Sequence, residues 1–177
     1  MKPLIVGIAL TILFSIFLVY QQDNNLFIRQ LENLKYVADE AAASGALYYE
    51  AESYSEGFMV YRKDESIKAI DSMIKDLLNL DAFLNPGLNN YWTDKIEYSV
   101  YFFDDSGIKT TYNEDRFVGS EPFNYGYLFD DPEADYTKHI SEPTIIVTID
   151  AGKPKFRTSF ITPHNSIRSS GYEYLSR

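Results

Sequence analysis

PLIVGIALTILFSIFLVY (3–20) passes without a Gly/Pro break at the junction into QQDNNLFIRQLENLKYVADEAAASGALYY (21–49), and the reading of this join decides the fold. The first piece is uncharged from Pro3 through Gln22. As a helix, residues 3–20 span roughly 27 Å, close to the about 30 Å hydrocarbon core of a bilayer. The second piece keeps a helical period but carries charge on one side, so the pair reads as a membrane anchor fused to an amphipathic stalk.

A cleaved signal peptide is the competing reading, because Lys2 supplies a positive amino-terminal region and the apolar run is short. The exit from the run argues against cleavage. Signal peptidase needs small residues in an A-x-A-like pattern, whereas the chain leaves through Phe17, Leu18, Val19, Tyr20, Gln21 and Gln22, with Tyr20 at the expected membrane boundary. The expectation is an uncleaved signal-anchor, single-pass in the cell membrane. Lys2 and the amino terminus stay inside, and everything from Asp23 onward is extracytoplasmic or in an extracellular filament.

Composition narrows the function classes. The 177 residues carry a formal net charge of -10, which argues against nucleic acid and against an anionic membrane surface as partner, because both would repel it. There is no cysteine, so disulfides, thiolate metal sites and thiol catalysis are all excluded. Hydrophobic content of 45% is enough for a folded exported part, and the 16% aromatic share suits strands and contact surfaces.

Three regions follow: a signal-anchor (1–22), an amphipathic stalk helix (23–62) and an extracytoplasmic α+β domain (63–177). In the stalk, Phe27, Leu31, Leu34, Ala38, Ala41, Gly45 and Tyr48 recur at alternating spacings of four and three, a heptad seam. Its middle, ADEAAASGA (38–46), is unusually small, and small residues four apart let another backbone approach closely. The seam does not say whether its partner is the chain's own domain or a second protein. Beyond Glu56-Gly57 a second helix is expected from about Asp64 to Leu80, capped by Asp64 or Ser66, with Ile67, Ile70, Ile74, Leu77 and Leu78 as its buried stripe. Asn85-Pro86-Gly87 stops helical structure. The period then becomes strand-like in IEYSVYFF (96–103), and Asp104-Asp105-Ser106-Gly107 turns it into a second strand at Ile108 to Tyr112. A long acidic and aromatic loop is expected over 113–142, a second hairpin from 145–149 and 156–161, and a loosely held tail from Pro163.

Residues able to carry chemistry are few. His139 and His164 fall in expected loop and tail with no metal-like spacing, and G-x-S-x-G, H-E-x-x-H and Gly-rich phosphate loops are absent. No enzyme activity, resident metal or cofactor is expected. Asp131, Glu133, Asp135 and Glu142 reproduce the one, three, five and twelve spacing of calcium-loop oxygens, but Tyr136 stands where that loop requires Gly. An acidic surface loop explains them better. Tyr48, Tyr49, Tyr54 and Tyr61 read as cover where the stalk meets a sheet, or as a contact surface.

The apolar helix, its amphipathic extension and the following antiparallel strands form a layout that resembles pilins and pseudopilins of type IV filament systems. LENLKYVADEAAASGALYY (31–49), the Gly57 break and SIKAIDSMIKDLLNL (66–80) are similar to the tight-adherence (TadE-like) minor pilins. The resemblance covers about the first half of the chain. It implies a pilin-like α+β fold and a non-enzymatic subunit of a surface filament, secretion or conjugation machine. Its partners would be the membrane, itself or other pilin-like subunits, and a secretion platform. Processed type IV pilins resemble a Gly followed by an apolar helix with Glu at its fifth position; here Gly7 is followed by Ile12 at that place. Cleavage after Gly7 is therefore expected to be absent or minor. The alternative is an extracytoplasmic sensor or ligand-binding module working through a partner protein, since IEYSVYFFDDSG (96–107) resembles the strand-turn-strand of Cache- and PAS-like sensors. A plain anchored structural protein of an envelope layer is a third reading.

Overall fold

The computed structural model describes residues 2–113, 115–155, 157 and 166–174. The fold is α+β. One helix, α1 (Lys2–Ala46), runs without interruption through both sequence regions, followed by α2 (Ala51–Ser55) and α3 (Lys63–Leu78). Seven strands follow among the described residues: β1 (Glu97–Phe103), β2 (Ile108–Asn113), β3 (Arg116–Pro122), β4 (Tyr127–Asp131), β5 (Tyr136–Ile140), β6 (Thr144–Asp150) and β7 (Ile167–Glu173). Five of them form an antiparallel sheet in the order β3-β2-β1-β6-β7, while β4 and β5 form a separate hairpin.

α3 begins after Arg62, and neither Asp64 nor Ser66 caps it. Asp64 and Glu65 lie in the first turn, where carboxylates favour the helix dipole. Ser66 is buried and donates to the Tyr48 carbonyl at 3.3 Å. At the other end, Asn79 takes a left-handed conformation and its N–H caps back to Lys75, which stops the helix before Leu80.

The molecule has three layers. Side chains alternate across the sheet, so Val100, Phe102, Ile145, Val147 and Ile149 join Leu34, Ala38, Ala41, Ile70 and Ile74 in a core under α1 and α3. The opposite phase of the same strands, Phe103 and Ile146, packs with Phe123, Phe129 and Ile140 beneath the β4/β5 hairpin. This corrects the expected loop over 113–142, which instead holds β3, β4 and β5. The hairpin buries only Phe129 and Ile140 among its strand residues, and its outer face mixes Leu128 with Asp130, Thr137 and His139, so no apolar alternation marks it in the sequence. The expected loose tail is likewise corrected, since β7 pairs along all of β6 from Ile167 to Glu173. Residues 156 and 158–161 of the expected second hairpin, and His164, lie outside the described residues.

Close packing of the hairpin on the sheet depends on Gly171. A Cβ there would lie 2.8 Å from the Tyr136 hydroxyl and 3.1 Å from Ile146 Cγ1. Tyr136 is held in this contact, and burial, then the charges of Asp39 and Glu173, push its phenol up to about 12 from an ordinary 10.0. Tyr61, Tyr98 and Tyr125 are raised in the same direction, first by burial and then by neighbouring carboxylates. A phenol whose folded pKa is raised contributes stability that is complete below its unfolded pKa and is lost as pH rises through the folded one. Urea midpoints are therefore expected to fall between pH 10 and about 12, with tyrosinate absorbance appearing together with unfolding. Full tyrosine ionisation without unfolding near pH 10 would contradict the buried placement.

Candidate membrane anchor

α1 divides into two environments. From Leu4 to Leu18 its large apolar side chains are exposed, whereas Leu34, Val37, Ala38, Ala41 and Ala42 are at most 1% exposed. Helix α1 is long and apolar enough to cross a membrane, and none of its apolar window is buried within the protein. An exposed apolar stripe of this size marks a contact surface for a membrane or for another protein. The polar groups inside it are satisfied locally: Thr11 Oγ1 donates to the Gly7 carbonyl and Ser15 Oγ to the Thr11 carbonyl, each at 2.9 Å. That is the condition for a helix in hydrocarbon, where no water completes an unmet hydrogen bond. By length, composition and internal hydrogen bonding, α1 meets what a membrane-spanning helix requires.

The first charge beyond the apolar run is Asp23, and sequence reasoning gave it no role. It is 4% exposed. Its carboxylate accepts the Arg157 backbone N–H at 2.8 Å and the Arg157 Nε at 2.7 Å, while Arg157 Nη2 reaches Gln22 Oε1 at 3.2 Å. The clamp ties the chain beyond β6 to the helix where α1 leaves its apolar segment. Only its position as the first acid after the run hints at it in sequence; Arg157 is too distant to be linked by pattern. Arg157→Ala keeps the backbone donor and removes the guanidinium, whose side chain is 60% exposed. The expected cost is about 1 kcal/mol, appearing locally as faster amide exchange over 150–157. Unchanged exchange there would mean the clamp holds nothing.

The seam residues are placed one by one. Phe27 and Leu31 are half-buried against the core, and Leu34, Ala38 and Ala41 are inside it. Gly45 faces Ile70 of α3 and Ile145 of β6, with an added Cβ 2.6 Å from Ile70 Cδ1. Tyr48 lies past the end of α1 and is 40% exposed. The partner of the small-residue face is therefore the chain's own α3 and sheet. Asp39 of α1 reinforces this contact by accepting from the Ser170 hydroxyl of β7. Among the tyrosines, Tyr61 is buried against Phe102, while Tyr49 and Tyr54 gather with Tyr174.

The calcium-spaced acids end up in and beside the β4/β5 hairpin, with Tyr136 starting β5 where a calcium loop would make its sharp turn. Asp131 is committed to structure: it accepts from Thr148 and Ser169 hydroxyls at 3.1 Å each and from the Ala134 N–H at 3.3 Å. Glu133 and Asp135 lie in the hairpin turn and Glu142 follows β5. Among the described residues no group of three His, Cys, Asp or Glu side chains could hold a metal ion. His139 is exposed on β5. Comparison with protein-family models, curated proteins and solved structures found no match.

Proposed function

We propose that the chain is a non-enzymatic, membrane-anchored, pilin-like subunit of a surface filament, secretion or conjugation machine, with its α+β domain outside the cell. The observation that carries this reading is the single unbroken α1, bare and apolar over its first half and packed on an antiparallel sheet over its second. A helix of this kind can hold a subunit in a bilayer and can pack beside its equivalents in a helical core. Since the small-residue seam is filled from within, subunit contacts fall to the exposed stretch from Leu4 to Phe17, not to residues 31–45. Ile12 stands where a paired carboxylate would set register, which favours an anchored machine component, or a tip or initiation subunit, over the main filament protein. For the sensor alternative, the centre of the sheet offers no room, since β1 and β6 are covered on one face by the helices and on the other by the hairpin.

The absence of native cysteine makes the test direct. Single cysteines along Leu4 to Phe17, oxidised in the membranes of the producing cells, are expected to give crosslinked subunits with a helical period. Monomer at every position would overturn assembly through this helix. Protease added to intact cells is expected to remove the domain and leave an amino-terminal membrane peptide of intact start; protection of the domain would reverse the orientation.

A further inference from the structure

We infer that the domain makes a second, peripheral contact with the bilayer surface, through the loop between α3 and β1. The inference rests on the anchor reading of α1.

The topology brings several connections to the end of the domain from which the apolar helix emerges. α3 ends at Leu78, and the chain returns through residues 79–96 to β1, with the Ile96 N–H bonded to the Leu84 carbonyl. β6 runs antiparallel to β1 and ends with Asp150 opposite Glu97. The chain beyond β6 stays at this end: the Lys153 N–H donates to Asp94 at 3.0 Å, and Arg157 grips Gln22 and Asp23. The loop also shares a cleft of about 520 Å³ with Leu26, Gln30 and Asn33 of α1. Gln22 and Asp23 are two and three residues past Tyr20, a helical rise of roughly 3 to 5 Å. The interfacial layer of one leaflet is about 5 to 7 Å deep. With Tyr20 at the edge of the hydrocarbon, this end of the domain sits on the headgroups.

Two large apolar side chains stand out of the loop. Leu88 is fully exposed and Phe83 is 76% exposed, on a loop whose intervening Leu84 is buried in the core. The loop is hydrogen-bonded on itself: Asp81 accepts from the N–H groups of Phe83 and Asn85 at 2.8 Å each, and the Asn90 N–H donates to the Gly87 carbonyl at 2.9 Å. Phe and Leu displayed beside a membrane exit suit the headgroup and acyl boundary, where burial removes apolar area from water. Lys95, Lys153 and Lys155 are exposed at this end beside the exposed carboxylates of Asp81, Asp94 and Glu97, so the local charge is balanced and the contact rests on the apolar side chains of Phe83 and Leu88.

The test uses the full chain in vesicles of phosphatidylcholine with a minority of phosphatidylglycerol. An environment-sensitive fluorophore is placed on single cysteines at Phe83, Leu88, Leu13 in the apolar run, and Leu47, which is exposed at the opposite end. Blue-shifted emission and quenching by headgroup-level nitroxide lipids are expected at Phe83 and Leu88, deep quenching at Leu13 and neither at Leu47. Deep quenching at Leu13 with an aqueous spectrum at Leu88 would overturn the second contact and leave the anchor intact. An aqueous spectrum at Leu13 as well would overturn both. A blue shift at Leu88 without lipid quenching would assign the loop to another protein surface and overturn the proposal.

Discussion

Gly45→Leu is expected to destabilise the folded domain by about 3 kcal/mol, the upper end for overpacking. The reason is geometric: a Cβ at this position already lies 2.6 and 2.9 Å from Ile70 Cδ1 and Cγ1 and 3.5 Å from Ile145 Cδ1. Leucine adds further heavy atoms in the same wedge between α1, α3 and β6. Gly45→Ala should be far milder. Its single carbon meets the movable end of an isoleucine, and the better helix propensity of alanine offsets about 1 kcal/mol. Ile70→Ala creates its own cavity, but combined with Gly45→Leu it should cost less than the two changes added, because the leucine fills the vacated space. Thermal unfolding of the full chain in detergent measures all four species. A leucine variant as stable as the parent but unable to crosslink through α1 would move the seam contact to between subunits.

Asp104→Ala is expected to cost about 3 kcal/mol, the low end for breaking a buried ion pair. Asp104 is fully buried at the β1/β2 turn. Its carboxylate accepts the N–H of Ser106 at 3.1 Å, the N–H of Tyr61 at 3.3 Å and the Ser106 hydroxyl, and lies 3.3 Å from Lys63 Nζ. Asp105 beside it binds Met59 in both directions and accepts from Tyr125. Together they fasten the α2 to α3 connection to the sheet. Alanine leaves the buried Tyr61 N–H and the Ser106 N–H of the turn without their acceptor, while Lys63, with 24% of its side chain exposed, regains water. Asp104→Asn should cost less, because it keeps one acceptor oxygen and the shape. Denaturant unfolding with unchanged slope checks both; an alanine variant within 0.5 kcal/mol of the parent would remove the clasp from the account.

The turn at Asp104 marks the boundary of what pattern could give. IEYSVYFF and the residues after DDSG alternate clearly, because both strands bury side chains and the turn between them is local. As turn formers, Asp104 and Asp105 were legible; as acceptors for residues 59–63 they were not, since those partners are more than forty positions away. RFVGSEP of β3 is exposed throughout, and IRSSGYE of β7 has no apolar alternation. Each is a strand because its neighbour offers an unpaired edge, so nothing in its own residues announces it.

The sequence by itself determined the apolar run of α1, the helical period that follows it, the second helix, the central hairpin and the change of period at Asn85-Pro86-Gly87. These depend on propensity, length and local spacing, which are properties of a single stretch of chain. Only the tertiary structure decided what covers the Ala38-Ala41-Gly45 face, which strands flank β1, how the 113–142 segment closes the second face of the sheet, and that Asp23 meets Arg157. Burial and ion pairing are properties of two surfaces together. A stripe of small residues states that a neighbour comes close, and only the folded chain supplies the neighbour.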